Sequence, residues 1–282
     1  MIPKIIHSVW LSNDPKPEMY VACIKSWRKH MPEYEIKEWS LVNLPKKILE
    51  HKFVNGAINA KKWAYATDVI RLWALQTYGG IYMDMDVIAY RSFDPFLKDR
   101  AFSCIEYNPS EYAESIQKRH KEINGIGIEA GILGAEKNHE WINDIFHYYD
   151  NLEFINDPKY YCNYIMPRVI NRISKATYGF IEAPIYQHLR GGVNIYPAET
   201  FSWIFNWKYL GMEFSTENLK KLGEIMPMRY ACHLTLHSWW EGTTRVDSIQ
   251  YKIKHFIYEM FNGRISKASL KKMNPFKKRS KY

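Results

Sequence analysis

The chain is short of cysteine, of long apolar runs and of low-complexity sequence, and each shortage removes a class of protein. Its four cysteines, Cys23, Cys104, Cys162 and Cys232, stand 81, 58 and 70 positions apart with no C-x-x-C pair. That spacing offers neither a disulfide framework nor a zinc knuckle and predicts a reduced, cytoplasmic chain. No stretch approaches the roughly 18 uninterrupted apolar residues of a membrane-spanning helix. The opening MIPKIIHSVWLSND has no basic start, apolar run and cleavage site of a signal peptide. With no internal repeat and no linker composition, the sequence reads as one domain over 1–245 with an appendage over 246–282.

What the chain does have is apolar bulk. Its 282 residues are 46% hydrophobic and 16% aromatic, enough for a sizeable core and too much for disorder. The formal net charge of +9 is unevenly placed: residues 264–282 hold eight of the 39 Lys and Arg and no acid, which leaves 31 basic against 30 acidic residues elsewhere. Just before that tail, Ile249, Ile253, Phe256, Ile257 and Met260 fall on one helical face within 247–262. An amphipathic helix running into a polybasic tail suits an anionic membrane surface, at ~1 kcal/mol per basic residue. A helix packed on the core with a solvated tail is the alternative. No nucleic-acid-binding motif accompanies the charge, so nucleic acid is not an expected partner.

Hydrophobic patterning predicts strands over 4–10, 34–39, 81–83, 100–106 and 128–135. It predicts helices over 17–30, 60–78, 138–152 and 159–175, the second stopped by Gly79-Gly80. The opening order β-α-β-α-β implies an α/β fold with a mostly parallel central sheet. Such sheets bind ligands beyond the carboxyl ends of their strands, which directs attention to Asp84-Met85-Asp86 after 81–83.

In extended backbone, residues two apart point the same way, so Asp84 and Asp86 can converge. Two hard oxygen ligands with room for a substrate describe a Mg2+ or Mn2+ site that clamps a diphosphate; a solvated turn is the plainer reading. In the preceding helix, residues 64–78 carry only two charges, Asp68 and Arg71. At 100° per residue they lie ~60° apart on one side of a helix that is apolar all round. Burying them requires partners. They form either an internal salt bridge or an acceptor and a donor facing a polar cavity. Phe201, Trp203, Phe205 and Trp207 form an aromatic cluster that serves as core or as a sugar-stacking surface.

The run Ala66-x-Asp68-x-x-Arg71 followed by Tyr78-Gly79-Gly80-Ile81-Tyr82-x-Asp84-x-Asp86-Val87 resembles the DXD sugar-binding region of glycosyltransferase family 32. That family includes capsular and lipopolysaccharide enzymes and the yeast initiating mannosyltransferases, and the spacing is also similar to that in clostridial glucosylating toxins. The segment Ile2–Trp10 resembles the family's first strand, and Ala231-Cys232-His233 with Ser238-Trp239 its C-terminal element. The resemblance implies a GT-A-type fold, a nucleotide-sugar donor, a divalent metal (usually Mn2+) and retention at the anomeric carbon. It places Val9 and Trp10 at the nucleotide, with Trp10 stacked on the base. It places Asp68, Arg71 and Tyr82 at the donor sugar, and Asp84 on its hydroxyls or on a metal-bound water. Asp86 and His233 become metal ligands, and Ser238 with the indole of Trp239 or Trp240 reaches the leaving diphosphate. The Trp239-Trp240 doublet and His237 depart from the family pattern. A UDP-hexose is expected before GDP-mannose as donor, and a lipid-linked saccharide or glycan of surface-polysaccharide biosynthesis as acceptor, at the inner membrane face. Glu129 is expected either at the acceptor face or as a solvated acid at a strand edge.

Two other readings stay open. A strand ending Asp84-x-Asp86-x-Val resembles the first motif of haloacid-dehalogenase-type phosphatases, with Asp84 as nucleophile. That motif normally lies near the first strand, and no Gly-Asp dipeptide occurs to supply the later acidic pair. A non-catalytic, membrane-associated sugar-binding protein would use the aromatics and the tail but leave the acidic group idle.

Overall fold

The computed structural model describes residues 1–235 apart from 13, 120–122 and 204–214. The helix and tail expected over 246–282, together with Ser238, Trp239, Trp240, Phe205 and Trp207, lie outside the described residues. The described strands are β1 (Ile5–Val9), β2 (Glu35–Trp39), β3 (Gly80–Met83), β4 (Val87–Ala89), β5 (Ala101–Tyr107), β6 (Ile126–Ile128), β7 (Ile132–Ala135), β8 (Gln187–Leu189), β9 (Val193–Tyr196) and β10 (Ala231–His233). The main helices are α1 (Glu18–His30), α2 (Lys46–Leu49), α3 (Lys52–Asn59), α4 (Trp63–Tyr78), α5 (Pro109–Gln117), α6 (Glu140–Asp150), α7 (Pro158–Tyr161) and α8 (Met166–Ile173).

Eight strands form one sheet in the order β2-β1-β3-β7-β5-β9-β8, with β6 paired to β5, while β4 and β10 make a separate ribbon. Strands β1, β2, β3, β5 and β9 run one way, and β6, β7 and β8 run against them. This is the α/β architecture with a mostly parallel central sheet that the sequence implies. Among the described residues no helix is long and apolar enough to cross a membrane.

Two elements differ from expectation. Residues 128–135 are not one strand: β6 pairs with β5, the chain turns at Glu129-Ala130-Gly131, and β7 inserts antiparallel between β3 and β5. Glu129 keeps a backbone bond to Cys104 O (2.9 Å), whereas Gly131 O already accepts from Asp84 N–H (2.8 Å), so the segment changes sheet partner within three residues. The helix expected over 159–175 breaks into α7 and α8, because Pro167 lacks an N–H and sits where a first turn tolerates it. Helices α2, α3 and α5 and strands β4, β8, β9 and β10 lie outside the elements that the hydrophobic pattern predicts.

Alternation along β3 sets the two core layers. Ile81 and Met83 pack with Trp27, Phe96 and Phe102 on one face, while Tyr82 packs toward α4 on the other. Helix α4 is buried almost all round and ends at Gly79, whose φ of +65° favours glycine and where a Cβ would stand 2.6 Å from Lys137 N. Beneath that turn, fully buried His7 accepts at Nδ1 from Trp39 Nε1 (3.2 Å) and faces Gly79 O through Nε2 (2.8 Å). This arrangement fits only the neutral ring, and burial lowers the His7 pKa to about 4.

Candidate active site

The acidic pair follows β3 directly, but in a turn rather than in extended chain: Val87 N–H closes onto Asp84 O at 3.0 Å. The carboxylates still converge. His233 Nε2 lies 3.3 Å from Asp86 Oδ1 and 3.7 Å from Asp84 Oδ2. Ligand atoms of these three side chains all lie within 4.8 Å of one another. His233 arrives from β10, which pairs antiparallel with β4 so that His233 stands opposite Val87. Trp27 on α1 anchors the same ribbon through its indole N–H to Val87 O (2.7 Å).

Asp68 and Arg71 form the i,i+3 pair expected on α4, with Nη2 2.8 Å from Oδ1. The pair does more than neutralise itself. Arg71 Nη1 donates to Ala130 O (2.6 Å), Nη2 stands 3.5 Å from Asp84 Oδ1, and the guanidinium covers the Tyr82 ring at 4.4 Å. Asp68 Oδ2 accepts from Met166 N–H at the start of α8 (3.2 Å). Tyr82 in turn donates to Asp84 Oδ1 (2.5 Å).

Burial raises Asp68 to about 6 against the pull of Arg71, and it raises Asp84 as well. Burial disfavours the Arg71 cation, but Asp84, Tyr82 and Asp68 outweigh it and hold the group above its ordinary range. For His233, Glu129 and Asp86 overcome burial and raise its pKa well above the usual value. Burial beside Glu129 pushes Glu106 up to about 8.

These groups line a cavity of about 590 Å3. Val9, Trp10, Ser12, Tyr20, Lys62 and Trp63 also line it. Trp10 is half-buried, edge-on to Tyr20 (5.6 Å), with its indole N–H on Asp14 O (3.1 Å). Of the residues singled out from sequence, Val9, Trp10, Asp68, Arg71, Tyr82, Asp84, Asp86 and His233 therefore share one cavity.

Glu129 is not a solvated edge acid but lines the same cavity. It is 2% exposed and accepts from His233 Nδ1 (2.8 Å). Phe201 belongs to the core, packed on Phe93, Phe96 and Phe102. Sequence reasoning missed Glu106 and Gly131. Nothing in the sequence marks Glu106, whereas a glycine inside an apolar run signals a bend or a close approach. A Cβ at Gly131 would lie 2.6 Å from the His233 ring and 2.9 Å from Asp84 Oδ2.

Residues 17–103, which hold Asp68, Arg71, Tyr82, Asp84 and Asp86, match the family described as a glycosyltransferase sugar-binding region containing a DXD motif. The resemblance drawn from the sequence is borne out by that match, and the chain carries such a region. Among curated proteins it is similar to inositol phosphoceramide mannosyltransferase 3 of Schizosaccharomyces pombe, 27% identical over 59% of this chain and 40% of that protein. It is also similar to a mannosyl phosphorylinositol ceramide synthase of Saccharomyces cerevisiae, 31% identical over 36% of this chain and 27% of that one. The matches thus span less than half the length of either relative. Solved structures that resemble the chain include the PaToxG glycosyltransferase (17% identity, 62% of this chain and 70% of that one, TM-score 0.46). Another is the galactosyltransferase LgtC (14%, 93% and 100%, TM-score 0.45). At such TM-scores neither likeness carries an argument about this chain.

Proposed function

We propose that the chain is a metal-dependent, retaining glycosyltransferase that moves a hexose from a nucleotide sugar to a lipid-linked or saccharide acceptor. The observation that carries this reading is the convergence of Asp84, Asp86 and His233 in the lining of the cavity. Two carboxylates and an imidazole are a donor set suited to Mn2+ or Mg2+, and the matched sugar-binding region contains both acids. When bound there, such a cation offsets the negative charge that develops on the leaving diphosphate.

The remaining steps fall to side chains. Trp10 offers its face to the base, with Val9 beside it. Arg71, fixed by Asp68 and Ala130 O, donates to oxygens of the donor sugar, and Asp68 accepts from its hydroxyls with its remaining lone pairs. Tyr82 turns Asp84 toward the site through its hydroxyl. Ser238, Trp239 and Trp240, outside the described residues, are assigned to the diphosphate by the resemblance alone. No side-chain base is assigned, because in front-face transfer the leaving phosphate oxygen takes the acceptor's proton.

The two yeast relatives, named as a mannosyltransferase and a mannosyl phosphorylinositol ceramide synthase, favour mannose as the transferred sugar and a phosphoinositol lipid as the kind of acceptor. That widens the expectation of a UDP-hexose to include GDP-mannose, and it supports an acceptor at a membrane. The basic segment 264–282 is then the part that meets the membrane surface, as it would in surface-polysaccharide assembly at an inner membrane face. Its deletion should reduce binding to anionic vesicles while sparing donor turnover; unchanged vesicle binding overturns that assignment.

A thermal-shift screen of nucleotide sugars with and without Mn2+ tests the donor. One donor should raise the unfolding midpoint in a Mn2+-dependent way, since only a ligand of the native state stabilises it. Failure of every nucleotide sugar to do so contradicts the reading.

A further inference from the structure

We propose that Glu129 is a positioning residue that holds the His233 imidazole with Nε2 turned toward Asp84 and Asp86, in the orientation a divalent cation there requires. The proposal rests on the metal-site reading above and adds a residue outside the matched region 17–103. Glu129 Oε1 accepts two bonds, from His233 Nδ1 (2.8 Å) and from Gly131 N–H (2.8 Å). A carboxylate at Nδ1 obliges that nitrogen to carry hydrogen, so the nitrogen left to bind a metal is Nε2, the one that faces Asp86 (3.3 Å) and Asp84 (3.7 Å).

Glu129 can hold the ring because its own backbone is tied down. Its N–H donates to Cys104 O (2.9 Å), and its carbonyl accepts from Ser103 Oγ (2.7 Å), both on β5. The same turn serves the rest of the site. Ala130 O receives Arg71, Gly131 O receives Asp84 N–H, and the missing side chain at Gly131 leaves the space that the His233 ring occupies. Three consecutive residues between β6 and β7 therefore set the positions of one cation, one carboxylate and one imidazole. Among the described residues the buried carboxylate forms no ion pair with Lys or Arg, and its ion-pair partner is His233.

The test is Mn2+ affinity of the full chain, measured by electron paramagnetic resonance of free Mn2+, for wild type, Glu129→Ala, Glu129→Gln, Glu129→Asp and Asp86→Ala. Loss of an outer partner of a ligating histidine typically weakens metal binding about 10–100-fold, and Glu129→Ala should fall in that range. Glu129→Gln keeps an oxygen that can accept from Nδ1 and Gly131 N–H, so it should retain affinity within about 5-fold of wild type. Glu129→Asp, with its carboxylate withdrawn by one methylene, should lose more than Gln; it decides the matter if the alanine variant does not fold. In turnover, Glu129→Ala should raise the Mn2+ concentration needed for half-maximal rate more than it lowers the rate at saturating Mn2+. Equal affinity of folded Glu129→Ala or Glu129→Asp and wild type overturns the proposal, as does equal loss in Gln and Ala. If wild type binds no Mn2+, or Asp86→Ala leaves binding unchanged, the metal-site reading itself fails; if those two behave as expected and Glu129→Ala is unaffected, only the positioning role fails.

Discussion

Nε2 of His233 lies 3.3 Å from Oδ1 of Asp86, and backbone pairing makes that contact. In the β4–β10 ribbon His233 stands opposite Val87, and Leu234 N–H donates to Asp86 O at 3.0 Å, so the two side chains emerge together whatever their own flexibility. Asp86→Asn keeps the shape and removes the charge. It should weaken Mn2+ binding and donor turnover together, each on the order of 100-fold or more, because the proposed cation site then loses one of its two negative charges. Calorimetric titration with Mn2+ beside a nucleoside-diphosphate release assay checks this.

Arg71 is 5% exposed and touches Asp68, Asp84 and Ala130 O, so truncating it strands buried acceptors. Arg71→Met should destabilise the fold by about 3–5 kcal/mol in urea unfolding. The double variant Asp68→Asn/Arg71→Met should recover part of that loss, since the stranded carboxylate is then neutral. A double variant that is fully additive would mean that the pair is not coupled.

Gly131→Ala tests the close approach directly. Its backbone is not in the left-handed region, so the cost comes from a Cβ 2.6 Å from the His233 ring. Overpacking of this kind costs about 1–3 kcal/mol. Mn2+ affinity should fall more than 10-fold while circular dichroism stays native, because the atoms that must shift are those of the proposed metal site.

The buried ring of His7 gives a pH dependence with a definite sign. Its folded pKa of about 4 lies below the ordinary 6.5, so the unfolded chain binds the extra proton first. Stability from this group is whole above pH 6.5 and is lost as pH falls toward 4, by up to ~3 kcal/mol. Urea unfolding of wild type and His7→Asn between pH 7 and 4 isolates it: the wild-type curve should fall more steeply, by about that amount.

Much of the site was legible because local chemistry contradicts its surroundings. Asp68 and Arg71 are the only charges in an apolar helix, and Gly79-Gly80 punctuates the entry to β3, so the order helix, strand, acidic pair could be read without tertiary knowledge. The acid pair was placed correctly at the end of β3 but in the wrong backbone, a turn instead of extended chain. The Glu129 turn was illegible for a different reason. Its flanks, Ile126–Ile128 and Ile132–Ala135, are equally apolar, so their pattern reads as a single strand. Only the pairing of β7 with β3, decided across long sequence separation, reveals the break and the antiparallel insertion.

Transfer chemistry is tested most directly by nucleoside diphosphate release from GDP-mannose, UDP-galactose and UDP-glucose incubated with the full chain and Mn2+. One donor should be hydrolysed slowly without acceptor, with turnover abolished by chelation of the metal and by Asp86→Asn. Phosphate release from phosphomonoesters with no turnover of any nucleotide sugar is the result that would contradict a glycosyltransferase.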